Sequence, residues 1–345
     1  MTMTLQPRVT IAQIAKEAGA AKSTVSCVLN GKLKESGASA ARIQHIQEVA
    51  QRLNYRPSAA ARAMRTGRFN AIGLMMSAVP GRISPFIELW LGILAELHAK
   101  NLSLNVSRLP DEELTSEGFV PRMLGEWAVD GLLIDYVREA PERMVQLIRQ
   151  HHIPSVWLNT RFAHDCVYPD DVAATRQATE HLLRLGHTRI AYRTDSPTSH
   201  YSHADRQQGY EEAMLTAGLS PWVHRSEHYL DAGQRLTAAR VLLAKPDRPT
   251  AIITYNPEDC LPYLTAALER GMQVPRDLSL VTISTDMQMH TGFDVATLLI
   301  PANAMGRAAV RMLLDKVQDP TQALPSAAIP FVFHHGNTLA PPPPA

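Results

Sequence analysis

At 345 residues, 45% of them hydrophobic and 19% charged, the chain is long enough for two or three units with cores of their own, and no run nears the about eighteen apolar residues of a membrane span. Its net charge of +1 hides a split: residues 1–68 hold four Lys and seven Arg against three Glu, or +8, and the remainder sums to −7. That is the footprint of a nucleic-acid module fused to an acidic body. The cysteines Cys27, Cys166 and Cys260 match no metal or disulfide spacing and read as reduced thiols, and MTMTLQPR lacks the apolar run of a signal peptide, so a cytoplasmic protein is expected.

In chain order, the spacing of Ile11, Ile14, Ala15 and Ala18 predicts an amphipathic helix from Thr10 to Ala18, with Thr10 and Gln13 as a capping box and Gly19 turning the chain. A second helix, Lys22 to Leu29, buries Val25, Val28 and Leu29 and turns Lys22, Ser23, Ser26 and Cys27 elsewhere. Two short helices about a Gly-containing turn form a helix-turn-helix signature, though a plain helical hairpin with a wet polar face fits the same stretch. Lys32 and Lys34 in the following loop are placed to touch phosphate. A third helix, from about Ser39 to Leu53, closes a three-helix core before Asn54-Tyr55-Arg56-Pro57 breaks it. Residues 58–68, SAAARAMRTGR, are too short to be helical alone in water. They read either as a charged linker or as a segment that folds on DNA, with Arg62 and Arg65 on phosphates and Met64 as a minor-groove wedge.

From Asn70 the pattern alternates: strand 71–76, helix 85–100, strand 102–109, helix 111–127, the strand in VDGLLIDY, helix 141–151 and strand IPSVWLNT. A second series follows Pro169-Asp170-Asp171: helix 172–185, strand TRIAYRT, helix 205–217, a short polar strand near His228, helix 233–244, strand TAIITY, helix 259–270 and strand LSLVTIS. This rhythm predicts two doubly wound lobes, with ligands outside the carboxyl ends of the strands. No phosphate-cradling glycine run occurs, and no nucleophile–base pair or carboxylate dyad can be placed from spacing, so enzyme chemistry is not expected. His151-His152, His200 with His203, and His334-His335 lack Cys or Asp companions at ligand spacing, so neither metal nor cofactor is expected; His200 and His203 fall at the rim of the predicted cleft. A solute-binding protein would share the two-lobed core, but the +8 headpiece argues for a regulator.

With these pieces in order the chain resembles the LacI/GalR family of bacterial transcription regulators over about residues 8–340. The blocks that carry the likeness are VTIAQIAKEAG, STVSCVLNG, LNYRPSAAARAMRTG, VDGLLID, ATEHLLRLGHTRIAY, ADRQQGYEEAM and PTAIITYN…LERGMQVPRDLSLV. The resemblance implies a headpiece over 1–57, a hinge helix over 58–69 and a periplasmic-binding-protein-like core of type I over 70–340, with a Pro-rich tail at 341–345. Within the core it implies lobe 1 at about 70–168 and 299–328 and lobe 2 at about 169–298 and 329–340. It implies a repressor that binds a near-palindromic operator as a homodimer, away from any membrane, with its operator affinity controlled by a sugar, sugar acid or related metabolite bound between the lobes. The DNA-facing set it implies is Thr10, Lys22, Ser23, Thr24, Ser26, Cys27, Asn30, Lys32 and Tyr55, with Ala60, Ala61, Arg62, Met64 and Arg65 in the hinge. Ala21 forfeits the usual helix cap, and Cys27 is a weak donor where many members carry Arg or His. The implied effector set is Ser84, Phe86, Asn159, Arg206, Tyr229, Asn256 and Ser284; an ion pair is the alternative for Arg206, and a core role for Phe86. Pro257 and Ser284 stand where sugar-binding members commonly present Asp, which favours an anionic sugar or other metabolite over a neutral monosaccharide. The PPPP ending stands where some members carry a tetramerising helix, so dimers alone are expected.

Overall fold

The computed structural model describes residues 9–56, 63, 66–84, 86–116, 128–137, 140–195, 200–286 and 292–344. The chain divides into two compact units, Met1–Phe69 and Asn70–Ala345.

In the first unit, α1 (Ile11–Glu17) begins with the predicted capping box: Thr10 Oγ1 accepts the Gln13 amide and Gln13 Oε1 accepts the Thr10 amide at 2.8 Å. Gly19 takes φ +55°, the left-handed conformation the turn demands. α2 (Lys22–Leu29) has no side-chain cap, because Ala21 offers none, and Ser39 caps α3 (Ala40–Arg52). Ile14, Val25, Val28, Ile46 and Val49 meet in a wholly apolar core, and the Arg42 guanidinium ties α3 to the turn through the Gly19 carbonyl.

The second unit contains two six-stranded sheets. The first runs β11-β5-β4-β3-β1-β2 and is parallel throughout, from β1 (Ala71–Ser77), β2 (Ser103–Leu109), β3 (Gly131–Asp135), β4 (Ser155–Leu158), β5 (Cys166–Pro169) and β11 (Ala327–Ile329). The described helices of this lobe are α4 (Ile87–Ala99), α5 (Asp111–Leu114), α6 (Glu142–Gln150) and α11 (Ala302–Gln318). α4 and α11 cross closely enough that a Cβ on Gly92 would run into the Asn303 carbonyl, and one on Gly306 into that of Leu89. The second sheet runs β12-β10-β9-β8-β6-β7: β6 (Ile190–Thr194), β7 (Trp222–Arg225), β8 (Ala251–Thr254), β9 (Ser279–Ser284), β10 (Ala296–Leu299) and an antiparallel edge strand, β12 (Val332–His334). α7 (Asp171–Arg184) and α8 (Ser202–Thr216) share one of its cores, and α9 (Ala232–Leu243) and α10 (Pro257–Glu269) the other.

The sequence misplaces some elements. The polar strand lies at Trp222–Arg225, and His228 falls in the loop beyond it. α8 begins at Ser202, so Ser202 and His203 lie in its first turn, buried. β5, β10, β11 and β12 have no counterpart in the predicted series; at three or four residues each they are too short for a periodic pattern. Of the helix predicted over 111–127, Asp111–Leu114 is helical, and 117–127 lies outside the described residues. The chain leading into the tail is held in the second lobe, with the Ala340 carbonyl 2.8 Å from His187 Nε2. Among the described residues no helix is long and apolar enough to cross a membrane.

Candidate functional site

Two places gather the predicted residues. The first is the face opened by α2. Lys22 and Ser23 are exposed at its start, and Thr24, Ser26 and Cys27 are half-buried along it. Three neighbours are already occupied. Asn30 Nδ2 donates to the Ser26 carbonyl at 2.6 Å, Lys32 Nζ meets Glu35 at 2.8 Å, and the Thr10 hydroxyl is held in the capping box. Lys32 therefore reaches phosphate only by giving up an exposed pair, an exchange of little cost. Tyr55 packs half-buried on the headpiece core. Ala60, Ala61, Arg62, Met64 and Arg65 lie outside the described residues.

The second place is the carboxyl edge of both sheets, where open α/β folds bind ligands. At the end of β3, Asp135 accepts the Ser84 amide at 3.1 and 3.2 Å and its hydroxyl at 2.7 Å. Asn159, beyond β4 with φ +51°, donates Nδ2 to Ser84 Oγ at 3.4 Å. Its Oδ1 accepts the Tyr201 hydroxyl of the second lobe at 3.1 Å, and its carbonyl accepts His200 Nε2 at 3.2 Å. Since a carbonyl only accepts, His200 carries its proton on Nε2, and Nδ1 receives the Ser202 hydroxyl at 2.7 Å. Ser202 Oγ meets the Tyr255 hydroxyl at 2.8 Å, and the Arg206 guanidinium lies 4.4 Å over the Tyr255 ring. Arg206 donates Nε to Asp171 Oδ1 at 2.6 Å and Nη1 to the Tyr255 carbonyl at 2.9 Å. One polar chain thus joins Ser84, Asn159 and Arg206 across the lobes, and beside it Arg161 makes two 2.5 Å bonds to Asp205, the residue before Arg206.

The electrostatics follow from burial. Asp135 has no cation among the described residues, and burial pushes its carboxyl up to about 6 despite the Ser84 hydrogen bonds. Burial also pushes Asp171 up, and Arg206 draws it back. Burial would lower the Arg206 pKa, but Asp171 and the neighbouring Tyr255 and Tyr192 outweigh it and raise it, so the pair is ionised.

The other predicted effector residues fare differently. Asn256 is the N-cap of α10, its Oδ1 accepting the Asp259 amide at 2.8 Å. Ser284 donates to Asp286 Oδ1 at 2.9 Å, so a carboxylate two residues on stands beside the position that had lost one. Phe86 packs on the first lobe's core and, with Ile87, Trp90, Leu91 and Leu94, lines an open apolar groove of about 280 Å³. Tyr229, 72% exposed, has Arg235 over its ring at 5.1 Å; no described contact ties it to the polar chain.

Sequence reasoning missed Asp135, Asp171, Tyr201 and Tyr255. A carboxylate closing the buried strand GLLID was the available signal for Asp135; nothing local distinguished the others. It also missed a buried group in the second lobe, where Arg193 lies 3.4 Å from Asp195 and Arg235 lies 3.6 Å from Asp259. Burial pushes the Asp259 carboxyl up to about 7, and Asp195 adds to the shift.

Comparison with known proteins follows the same division. Residues 10–58 match the family described as bacterial regulatory proteins, lacI family, and residues 179–333 match the periplasmic binding protein-like domain. The HTH-type transcriptional repressor PurR of Aliivibrio fischeri is 25% identical over 319 residues, spanning 90% of this chain and 92% of its own. The ribose operon repressor of Escherichia coli is 27% identical over 320 residues, spanning 90% and 94%. Among solved structures, the lac repressor dimer bound to operator and the anti-inducer ONPF superposes with a TM-score of 0.76 at 21% identity, covering 96% of this chain and 99% of that one. The transcriptional regulator CelR–cellobiose complex gives 0.60 at 22% identity, covering 96% and 100%.

Proposed function

We propose that this member of the LacI family of bacterial transcriptional regulators represses transcription from a near-palindromic operator as a cytoplasmic homodimer whose grip a small metabolite controls. The observation that carries this reading is the order of two parts in one chain: a basic helix-turn-helix unit, then a two-lobed α/β core. Lys22 and Ser23 meet base edges or phosphates at the start of α2. Ser26 and Cys27 line the same face, Thr10, Thr24, Asn30, Lys32 and Tyr55 flank it, and the remaining affinity comes from the hinge. The hinge spans 58–69, where Ala60, Ala61, Arg62 and Arg65 follow the backbone and Met64 supplies an apolar wedge of flexible shape.

The effector enters between the lobes and engages Ser84, Asn159 and Arg206, with Phe86, Tyr229, Asn256 and Ser284 at the margins. The cellobiose bound by the similar regulator CelR supports a hydroxyl-rich ligand. Exposed apolar side chains on α4 (Ile87, Leu91, Leu94) and α10 (Leu261, Leu268) support a second copy of the chain as partner. A change in lobe angle reaches the paired hinges through that partner. Coupling of this kind is about 1–3 kcal/mol, or roughly 5–150-fold in operator affinity. Gel-shift selection on genomic fragments tests the reading. A short, near-palindromic set is expected to survive nonspecific competitor; uniform retention of all fragments would end the regulator interpretation.

A further inference from the structure

Among the described residues, three arginines at the cleft are matched with aspartates. Arg206 is committed to Asp171, Arg161 to Asp205 and Arg82 to Asp111. Against these three pairs stands Asp135, 1% exposed, whose described partners are the amide and hydroxyl of Ser84. An independent observation lies at the other end of the polar chain: Asp171 Oδ2 is buried with no hydrogen-bond partner among the described residues. A buried carboxylate is costly unless a cation or several donors meet it, and a buried acceptor oxygen without a donor is costly as well.

An anion that met Arg206, Arg161 or Arg82 would have to take it away from its aspartate, and would bring no counter-charge to Asp135. A neutral ligand would leave the Asp135 charge uncompensated. A ligand that carries positive charge relieves both. We propose that the effector is a small hydroxyl-bearing amine, its ammonium paired with Asp135, its hydroxyls met by Ser84 and Asn159, and Asp171 Oδ2 accepting one further hydrogen. This reverses the anionic expectation drawn from Pro257 and Ser284. It rests on the cleft being the effector site.

Full-length protein is melted with a small-molecule cell extract divided by ion exchange into cation-retained, unretained and anion-retained fractions. The cation-retained fraction is expected to raise the melting temperature by about 5–10 °C at saturation. Mass spectrometry of the protein-bound species is expected to find an amine. Asp135→Asn keeps an acceptor for Ser84 and removes the charge; with a cooperative melt as its folding check, it should bind the purified amine at least about tenfold more weakly. A response confined to the unretained or anion-retained fraction, no response to the cation-retained one, or Asp135→Asn binding like the parent would each overturn the proposal. Operator selection in the same preparation keeps the two readings apart: retained DNA selection without an amine response removes the ligand class alone, whereas lost selection removes the regulator reading.

Discussion

The headpiece and the core handle polar side chains in opposite ways. Among the described residues every buried side chain of the headpiece core is apolar, and its charged residues lie at the surface. The core buries Asp135, Asp171, Arg193, Asp195, Arg206, Arg235 and Asp259. Exposed cations cost the fold little and act on DNA through long-range attraction and counterion release. Buried charges act only on a ligand that completes their pairing, and they tolerate no loss of a partner. One region is built for affinity that salt can tune, the other for chemical discrimination.

The largest effect should come from breaking a buried pair. Arg206→Ala leaves Asp171 buried and uncompensated, and should cost about 3–5 kcal/mol of core stability. All four tryptophans lie beyond residue 69, so tryptophan fluorescence in urea reads the core selectively. A loss below about 1 kcal/mol would mean that the pair is solvated and that the contrast between the regions is false.

A smaller effect should appear with pH. Asp135 and Asp259, with carboxyls raised to about 6 and 7, bind protons more tightly folded than unfolded. Their contribution is full below the ordinary carboxylate pKa and is lost as pH rises through 6 and then 7. The tryptophan-detected melt should therefore move up as pH is lowered from about 8 to about 5.5. A melt that falls over that range would contradict the buried-carboxylate account.

The smallest effect on stability should come from the headpiece surface. Lys22→Ala should change unfolding by no more than about 0.5 kcal/mol. It should nevertheless weaken operator binding and, if Lys22 meets phosphate, flatten the salt dependence by about one unit of slope. An unchanged slope with lost sequence preference would move Lys22 from phosphate to a base edge.

Much of the fold was legible where it is written locally. Thr10 with Gln13, Gly19 and Ser39 fix helix ends through contacts three or four residues apart, and the apolar runs of β1, β3 and β9 announce buried strands. The candidate site was legible in part. Ser84, Asn159 and Arg206 do fall on one polar chain. Asn256 is engaged in capping a helix, and Tyr229 stands exposed against Arg235. The ion-pair alternative for Arg206 is realised, with an aspartate thirty-five residues away.

The helix-turn-helix stretch, the charge split between residues 1–68 and the remainder, and the alternating rhythm of the core were set by the sequence alone. They depend on composition and on neighbours within a turn or two. Only the tertiary structure decided which polar groups and charges meet, because Arg206 meets Asp171 across thirty-five residues, Ser84 meets Asp135 across fifty-one and Asn159 meets Tyr201 across forty-two. Those pairings exist only after strand order brings the carboxyl ends together, and they make the cleft one that asks for a cation.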